Sequence, residues 1–146
     1  MTRQHSPGRV AVVTGAGSGI GRAVARLMLA DGYRVVLAGR REAQLLETGA
    51  GHAQALAVPC DVTVPDDVAR PFAAALQRWG RVDVLFNNAG VFGPAASVDE
   101  ISLADWESTV AVNVTGSMLC AAAAVRAMRA QSPQGGRIIN NGSIAA

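Results

Sequence analysis

The chain of 146 residues contains no lysine, because all 13 of its basic residues are arginine, and its only tyrosine is Tyr33. Lysine and tyrosine are two of the side chains that carry proton transfer in enzymes, and Tyr33 is the only residue of either type in this sequence. Aromatic residues make up 4% of the chain, and the net charge is only +2. With no basic tract and few side chains that could stack on bases, the composition favours no nucleic-acid partner.

Cysteine and histidine are equally scarce. Cys60 and Cys120 lack the spacing of a metal site and are predicted to be buried free thiols. His5 lies in the polar N-terminal segment, and His52 lies in a loop flanked by glycine. Since neither histidine has a partner at ligand spacing, the sequence predicts no metal site.

Long apolar segments are also missing. The longest apolar stretch, around residues 117–125, is too short to cross a bilayer. Residues 1–8 are polar and lack the apolar core of a secretory signal, so they are expected to form a mobile tail. We therefore expect one domain over residues 9–146, no membrane partner and, by default, a cytoplasmic location.

Half of the residues are hydrophobic and 16% are charged, a balance that suits a parallel sheet covered on both faces. Apolar runs predict five strands, at residues 9–14, 34–38, 54–58, 82–86 and 137–140. Helical patterns lie between them, at residues 20–30, 42–47, 65–79 and 103–130. This alternation predicts an α/β fold, a Rossmann-type doubly wound parallel sheet with strand order 3-2-1-4-5.

Pro71 complicates the third predicted helix, because a proline inside a helix removes one backbone hydrogen bond. A straight helix through this position would cost about 3 kcal/mol. We therefore expect a kink or a late helix start near Pro71.

Residues 14–21 read Thr-Gly-Ala-Gly-Ser-Gly-Ile-Gly and directly follow the first predicted strand. In a strand–loop–helix unit, such glycines permit a tight turn and let a pyrophosphate approach the backbone. The free N–H groups and the positive dipole end of the next helix point at the same place. The alternative is a glycine-rich turn without a ligand. The candidate cofactor contacts here are Thr14, Gly15, Ser18, Gly19, Ile20 and Gly21.

The second predicted strand is followed by Gly39, Arg40 and Arg41. Dinucleotide folds that select NAD usually place a carboxylate here to hold the ribose 2′-hydroxyl. Position 39 has no carboxylate, and an arginine can pair with a 2′-phosphate, so the sequence favours NADP. Alternatively, Arg40 and Arg41 are solvated charges at the entry of a helix.

Two further loops follow strands three and four. Asp61 and Val62 stand where an adenine ring should lie, and the carboxylate could accept a hydrogen bond from the adenine amino group. Alternatively, Asp61 caps the following turn. Asn88, Ala89 and Gly90 follow strand four, where small residues let the loop approach the cofactor ribose and asparagine amides can tie adjacent strands together.

Together these motifs resemble the classical short-chain dehydrogenase/reductase family over residues 9–146. The resemblance rests on five ordered motifs: the glycine loop at 14–21, Cys-Asp-Val-Thr at 60–63, Asn-Asn-Ala-Gly at 87–90, Asn-Val-Thr-Gly at 113–116 and Gly-Arg-Ile-Ile-Asn-Asn-Gly-Ser at 136–143. It implies that Asn113 holds a water in a proton relay and that Ser143 donates a hydrogen bond to the substrate carbonyl. Without the family pattern, Asn113 would be a polar helix residue and Ser143 a loop hydroxyl.

The resemblance also implies a motif that this chain does not contain. The family's Tyr-x3-Lys pair, which carries proton transfer, should follow Ser143, but the sequence reaches only Ala146. We therefore expect the N-terminal part of a reductase, truncated before the last strands, that binds the cofactor but is inactive alone. Its fifth strand would form an exposed sheet edge.

The function that the resemblance implies is NADP-dependent hydride transfer between the cofactor and a small-molecule carbonyl or secondary alcohol. It also implies a homo-oligomer of the kind typical of the family. The alternative is a non-catalytic dinucleotide-binding or nucleotide-sensing module. The motif that ends at Ser143 argues against a pure sensor, which needs no group that polarises a carbonyl.

Overall fold

The computed structural model describes residues 8–143, so the predicted tail, apart from Gly8, and residues 144–146 lie outside the described part. Strands and helices alternate along the chain. The strands are β1 (Val10–Thr14), β2 (Arg34–Gly39), β3 (Ala55–Pro59), β4 (Val84–Asn87) and β5 (Arg137–Asn140). The helices are α1 (Gly19–Ala30), α2 (Glu42–Gly49), α3 (Pro65–Trp79), α4 (Leu103–Val110) and α5 (Ser117–Ala130), and a π-helical segment at Ala111–Gly116 joins α4 to α5.

The strands form one parallel sheet in the order β3-β2-β1-β4-β5. Central β1 places Val12 in register with Val36 of β2 and Leu85 of β4. The strand order reverses beside β1, which opens a crevice at the carboxyl ends of the strands. The predicted Rossmann-type sheet and its strand order are confirmed.

The core lies on both faces of the sheet. Val10 and Val12 of β1 face one layer, which contains α3 and α5. Ala11 and Val13 face the opposite layer, which contains α1 and α2. Because helices cover both faces, every residue of β1 is buried, and this explains why the strands read as continuous apolar runs.

The start of β4 differs from the prediction for a visible reason. β4 begins at Val84 instead of residue 82. The N–H of Val82 donates to Oε1 of Gln131 at 2.8 Å, and the Val82 carbonyl accepts from Nε2 of Gln131 at 2.9 Å. Val82 therefore bonds to a side chain instead of joining the strand ladder.

Of the two expected effects of Pro71, the late start of the third helix is wrong, whereas a kink stays a prediction. α3 runs from Pro65 to Trp79, and no interruption marks Pro71. Pro71 lies in the second turn and is almost completely buried. Its missing N–H deprives only the Asp67 carbonyl of a helical partner, and burial of the proline ring offsets that loss.

The predicted helix at residues 103–130 is present, but its centre is π-helical. The helix has 28 residues, and its most apolar window has a mean hydropathy of 1.5. By length and composition it could therefore cross a membrane, so the expectation that the longest apolar stretch is too short is wrong. In this structure, α5 buries one side in the core through Cys120, Ala124 and Ala127. A core helix of a soluble protein passes the same test of length and composition but is mostly buried, whereas 22% of this window is buried.

Within residues 8–143, β5 pairs only with β4. Its Arg137, Ile139 and Asn140 are exposed. The expected exposed sheet edge is therefore confirmed for the described part of the chain.

Candidate functional site

A cleft of about 440 Å³ lies at the carboxyl ends of β1 to β4, between the loops that follow these strands and one side of α4 and the π segment. Eight predicted residues line it: Gly15, Ser18, Arg40, Arg41, Asp61, Val62, Ala89 and Gly90. The other predicted residues are outside its wall: Thr14, Gly19, Ile20, Gly21, Asn88, Asn113 and Ser143. Residues from four separate loops thus share one cavity.

Gly15 and Gly21 bring the glycine loop close to its neighbours. Gly15 has a φ of +63°, and a Cβ on it would lie 2.9 Å from Nδ2 of Asn88. A Cβ on Gly21 would collide with the carbonyl oxygen of Gly15. Gly21 therefore acts from behind the cleft, by letting α1 pack against the loop.

The start of α1 presents free backbone donors. Ser18 is the N-cap residue, and its side chain makes no capping hydrogen bond. Gly19 has a φ of +52°, and the side chain of Ile20 is 61% exposed. In the described part of the chain, the N–H groups of Gly17 and Ser18 donate to no protein acceptor. Open N–H groups at a helix N-terminus favour an anion.

Thr14 and Asn88 tie the glycine loop to the loop after β4. The buried Thr14 hydroxyl accepts from the N–H groups of Asn88 and Ala89, each at 3.0 Å. The Asn88 amide donates to the Thr14 carbonyl at 3.1 Å. These bonds position Ala89 and Gly90 in the cleft wall, while direct contact of Thr14 or Asn88 with a cofactor stays a prediction.

Arg40 and Arg41 contribute positive charge to the cleft at the end of β2. Both side chains are exposed, and neither takes part in an ion pair among residues 8–143. The charge of Arg40 reaches Asp61 across the cleft and contributes to lowering the pKa of that carboxyl. Two arginines without a carboxylate partner are suited to an anionic ligand.

Asp61 caps its own turn and also lines the cleft. Its Oδ1 accepts from the Thr63 hydroxyl at 2.7 Å and from the Thr63 N–H at 2.9 Å. These two hydrogen bonds are the main reason that the pKa of Asp61 lies below its usual range. The turn-capping alternative is therefore realised, and Asp61 also lines the cleft beside Val62.

The π segment holds the loop that follows Gly90. Oδ1 of Asn113 accepts from the Val91 N–H at 2.8 Å, and Nδ2 of Asn113 donates to the Val91 carbonyl at 2.8 Å. Gly90 lies close to the same side chain, because a Cβ on Gly90 would be 3.3 Å from Oδ1 of Asn113. Both polar atoms of the Asn113 side chain thus hold the loop at Val91 in place. Asn113 lies in the π-helical segment, and π-helical turns are frequent at functional sites.

The segment after β5 is anchored beside the same loops. The N–H of Asn141 donates to the Asn87 carbonyl at 3.1 Å, and Nδ2 of Asn141 donates to Oδ1 of Asn88 at 2.9 Å. Ser143, which is exposed, follows this anchor by two residues. The structure therefore brings Ser143 to the carboxyl edge of the sheet, although not into the cleft wall.

Sequence reasoning missed two residues that hold the glycine loop from outside. Nη2 of Arg22 donates to the Gly17 carbonyl at 2.6 Å. The Thr48 hydroxyl lies 2.8 Å from the Ala16 carbonyl oxygen and 2.9 Å from the Gln44 carbonyl oxygen, and these two acceptors share its single proton. Arg22 directly follows the glycine motif, which is a weak signal, whereas Thr48 comes from α2 and carries no local signal. Gly17, inside the motif, also lines the cleft and was not among the predicted contacts.

The two cysteines are free and buried, as predicted. Burial raises the pKa of Cys60 to about 11 and that of Cys120 to about 12, so both thiols are neutral at physiological pH. Cys60 contributes to the cleft wall as an apolar group. Among residues 8–143, no group of three or more His, Cys, Asp or Glu side chains is placed to hold a metal ion.

The chain is similar to known proteins along almost its whole length. It is 41% identical over 140 residues to a cis-4-hydroxycyclohexanecarboxylate dehydrogenase of Sinomonas cyclohexanicum, which covers 93% of this chain and 55% of that enzyme. A short-chain type dehydrogenase/reductase of Mycobacterium marinum superposes with a TM-score of 0.88 at 34% identity, covering 94% of this chain and 57% of the other. A 3-ketoacyl-(acyl-carrier-protein) reductase of Brucella melitensis, complexed with NADH, gives a TM-score of 0.86 at 31% identity, covering 92% of this chain and 56% of the other.

These matches agree with a family model. The chain spans only a little more than half the length of the curated relatives it matches, 58% in the case of an uncharacterised oxidoreductase of Staphylococcus aureus. The model of the short chain dehydrogenase family matches residues 9–146. The chain therefore belongs to the short-chain dehydrogenase family.

Proposed function

We propose that this chain binds NADP(H) in the cleft and is the cofactor-binding part of an oxidoreductase that interconverts a carbonyl and a secondary alcohol. The observation that carries the proposal is the presence of two anion-binding features in one cavity. Gly17 and Ser18 present free N–H groups at one end, and Arg40 and Arg41 stand without carboxylate partners at the other. A 2′-phosphorylated dinucleotide carries anionic groups at its pyrophosphate and at its adenosine ribose, and the glycines leave room for the pyrophosphate to approach the backbone.

The preference for NADP rests on the connection between β2 and α2. Gly39 ends β2 without a side chain, and in the described part of the chain Asp61 is the only carboxylate in the cleft wall. NAD selection would need a carboxylate beside the adenosine ribose, whereas Arg40 can pair bidentately with a 2′-phosphate. The Brucella reductase was solved with NADH, so the wider fold also accepts the cofactor without the phosphate.

When bound, the nicotinamide supplies or accepts the hydride. We assign to Ser143 the polarisation of the substrate carbonyl, and to Asn113 the positioning of the Val91 loop and, as the family resemblance implies, a water of the proton relay. Tyr33 precedes β2, at the amino end of the sheet and opposite the cleft, so it is not placed for proton transfer. The chain on its own therefore binds cofactor and turns nothing over until a Tyr-x3-Lys pair is supplied.

We propose the class of substrate from the names of two relatives. The Sinomonas enzyme is named for a cyclic secondary alcohol, and the Brucella enzyme for a ketoacyl carbonyl. Both names describe the interconversion of a carbonyl and a secondary alcohol on a small or carrier-bound molecule. We infer the same chemistry here, in a cytoplasmic homo-oligomer.

A second candidate is a non-catalytic dinucleotide-binding module. The absence of lysine from all 146 residues, together with the position of Tyr33, favours this candidate for the chain taken alone. The two candidates differ in turnover, because both bind the cofactor. Only the oxidoreductase gains activity when the chain is joined to a segment that carries a Tyr-x3-Lys pair.

Arg40→Ala tests the cofactor assignment. We expect NADPH to bind wild-type protein more tightly than NADH, and the variant to lose roughly tenfold in NADPH affinity with little change for NADH. Arg126→Ala is the control, because Arg126 is an exposed arginine of α5 outside the cleft wall. Tighter binding of NADH by the wild type, or equal loss for both cofactors in Arg40→Ala, would contradict the proposed preference.

A further inference from the structure

Arg22 and Thr48 hold the outer side of the glycine loop. Nη2 of Arg22 lies 2.6 Å from the Gly17 carbonyl oxygen, and the buried hydroxyl of Thr48 lies 2.8 Å from the Ala16 carbonyl oxygen. The two side chains also bond to each other, because Nε of Arg22 donates to the Thr48 hydroxyl at 3.2 Å. The Glu47 carboxylate pairs with the Arg22 guanidinium at 3.1 Å and holds it in place.

The orientation of the two carbonyls fixes the orientation of two N–H groups. The Ala16 carbonyl shares its peptide plane with the Gly17 N–H, and the Gly17 carbonyl shares its plane with the Ser18 N–H. In a trans peptide the C=O and N–H bonds point in opposite directions. Both carbonyls are bound outside the cleft, and both Gly17 and Ser18 line it, so their free N–H groups are turned toward the cavity.

We propose that Arg22 and Thr48 are positioning residues that orient the Gly17 and Ser18 N–H groups toward the phosphate oxygens of a bound dinucleotide. The proposal rests on the dinucleotide site described above. Thr48 also belongs to α2, which begins directly after Arg41. The Arg22–Thr48 pair therefore connects the glycine loop to α2, the helix that directly follows Arg40 and Arg41.

Arg22→Ala removes the contact with the Gly17 carbonyl and tests this role. We expect roughly tenfold weaker binding of NADPH and of ADP, because the loop N–H groups are no longer fixed toward the phosphates. Adenosine, which has no phosphate, should bind as it does to the wild type. Arg22→Lys keeps a cationic donor within reach of the loop but loses the fork that also reaches Thr48, and we expect it to recover part of the affinity.

Arg26→Ala is the matched control. Arg26 also crosses from α1 to α2, where its guanidinium donates to the Thr48 carbonyl at 3.3 Å and to the Glu47 carbonyl at 3.0 Å. It makes no hydrogen bond to the glycine loop, so Arg26→Ala should bind all three ligands as the wild type does.

The outcomes separate the positioning role from a general structural one. If Arg22→Ala weakens adenosine binding as much as ADP binding, or leaves NADPH binding unchanged, the positioning role is refuted while the dinucleotide site stands. If folded wild-type protein binds neither NADPH nor ADP, the site and the positioning role fall together. If Arg22→Ala does not fold, Thr48→Val takes its place and should bind NADPH and ADP more weakly while binding adenosine as the wild type does. If Thr48→Val shows no such loss, the proposal is refuted.

Discussion

Thr14→Val is expected to destabilise the fold and loosen one wall of the cleft. The Thr14 side chain is 1% exposed at the end of β1, and its hydroxyl accepts from the N–H groups of Asn88 and Ala89 at 3.0 Å each. Valine has nearly the same shape but no acceptor, so both N–H groups lose their partner. A buried donor without a partner costs about 1–3 kcal/mol. Since the loop is only partly buried, we expect a loss of about 2–4 kcal/mol in the free energy of unfolding.

Urea unfolding and NADPH titration measure the two consequences. Thr14→Ser keeps the acceptor and removes one methyl group, so it should lose only about 1 kcal/mol. Thr115→Val is the control at an exposed threonine of the π segment and should stay within about 0.5 kcal/mol of the wild type. If Thr14→Val is as stable as Thr14→Ser and binds NADPH equally well, the bonds from Thr14 do not position the Ala89–Gly90 wall.

Two further predictions concern the fold around the site. Gln131→Leu removes the side-chain partner of both backbone groups of Val82. Urea denaturation should show that it lowers the free energy of unfolding by about 2–4 kcal/mol. A loss below about 1 kcal/mol would show that these bonds of 2.8 and 2.9 Å contribute little to stability. Although burial alone would raise it, hydrogen bonds from the Arg81 guanidinium and the Val10 N–H hold the pKa of Asp83 below its usual range. A lowered folded-state pKa gives stability that is present above the unfolded pKa of about 3.9 and is lost as the pH falls through the folded value. Asp83→Asn should therefore be less stable than the wild type at pH 7, and the difference in stability between the two proteins should become smaller below about pH 4 in thermal melts. A difference in stability that does not change with pH would contradict this expectation.

The sheet was predictable because its signals are local and repeated. Apolar runs separated by helical patterns mark a parallel sheet covered on both faces, and the glycine loop after the first run marks the strand order reversal beside β1. Arg40, Asp61 and Gly90 were predicted as cofactor contacts because each lies within three residues of the carboxyl end of a strand, and all three line the cleft. These three residues lie far apart in the sequence, but they come together because the carboxyl ends of parallel strands lie at the same edge of the sheet.

Features that depend on tertiary contacts were not predictable. The π segment has the same apolar pattern as an α-helix, so periodicity does not distinguish the two. Its last residue, Gly116, packs so closely that a Cβ would be 2.7 Å from Cγ2 of Val62. Thr48 reaches the glycine loop from a different helix, so no local motif signals it. Pro71 illustrates the opposite case, because a local rule predicted a kink or a late helix start, yet the helix begins at Pro65 and the proline ring is buried inside it.

Binding of a nicotinamide dinucleotide in the cleft at the glycine loop is best measured by an NMR titration of the isotope-labelled protein with NADPH and then with NADH. We expect saturable binding, tighter for NADPH, with the largest amide shifts at Gly17, Ser18, Arg40 and Asp61. A folded protein that binds neither cofactor, or whose shifts cluster away from these residues, would contradict it.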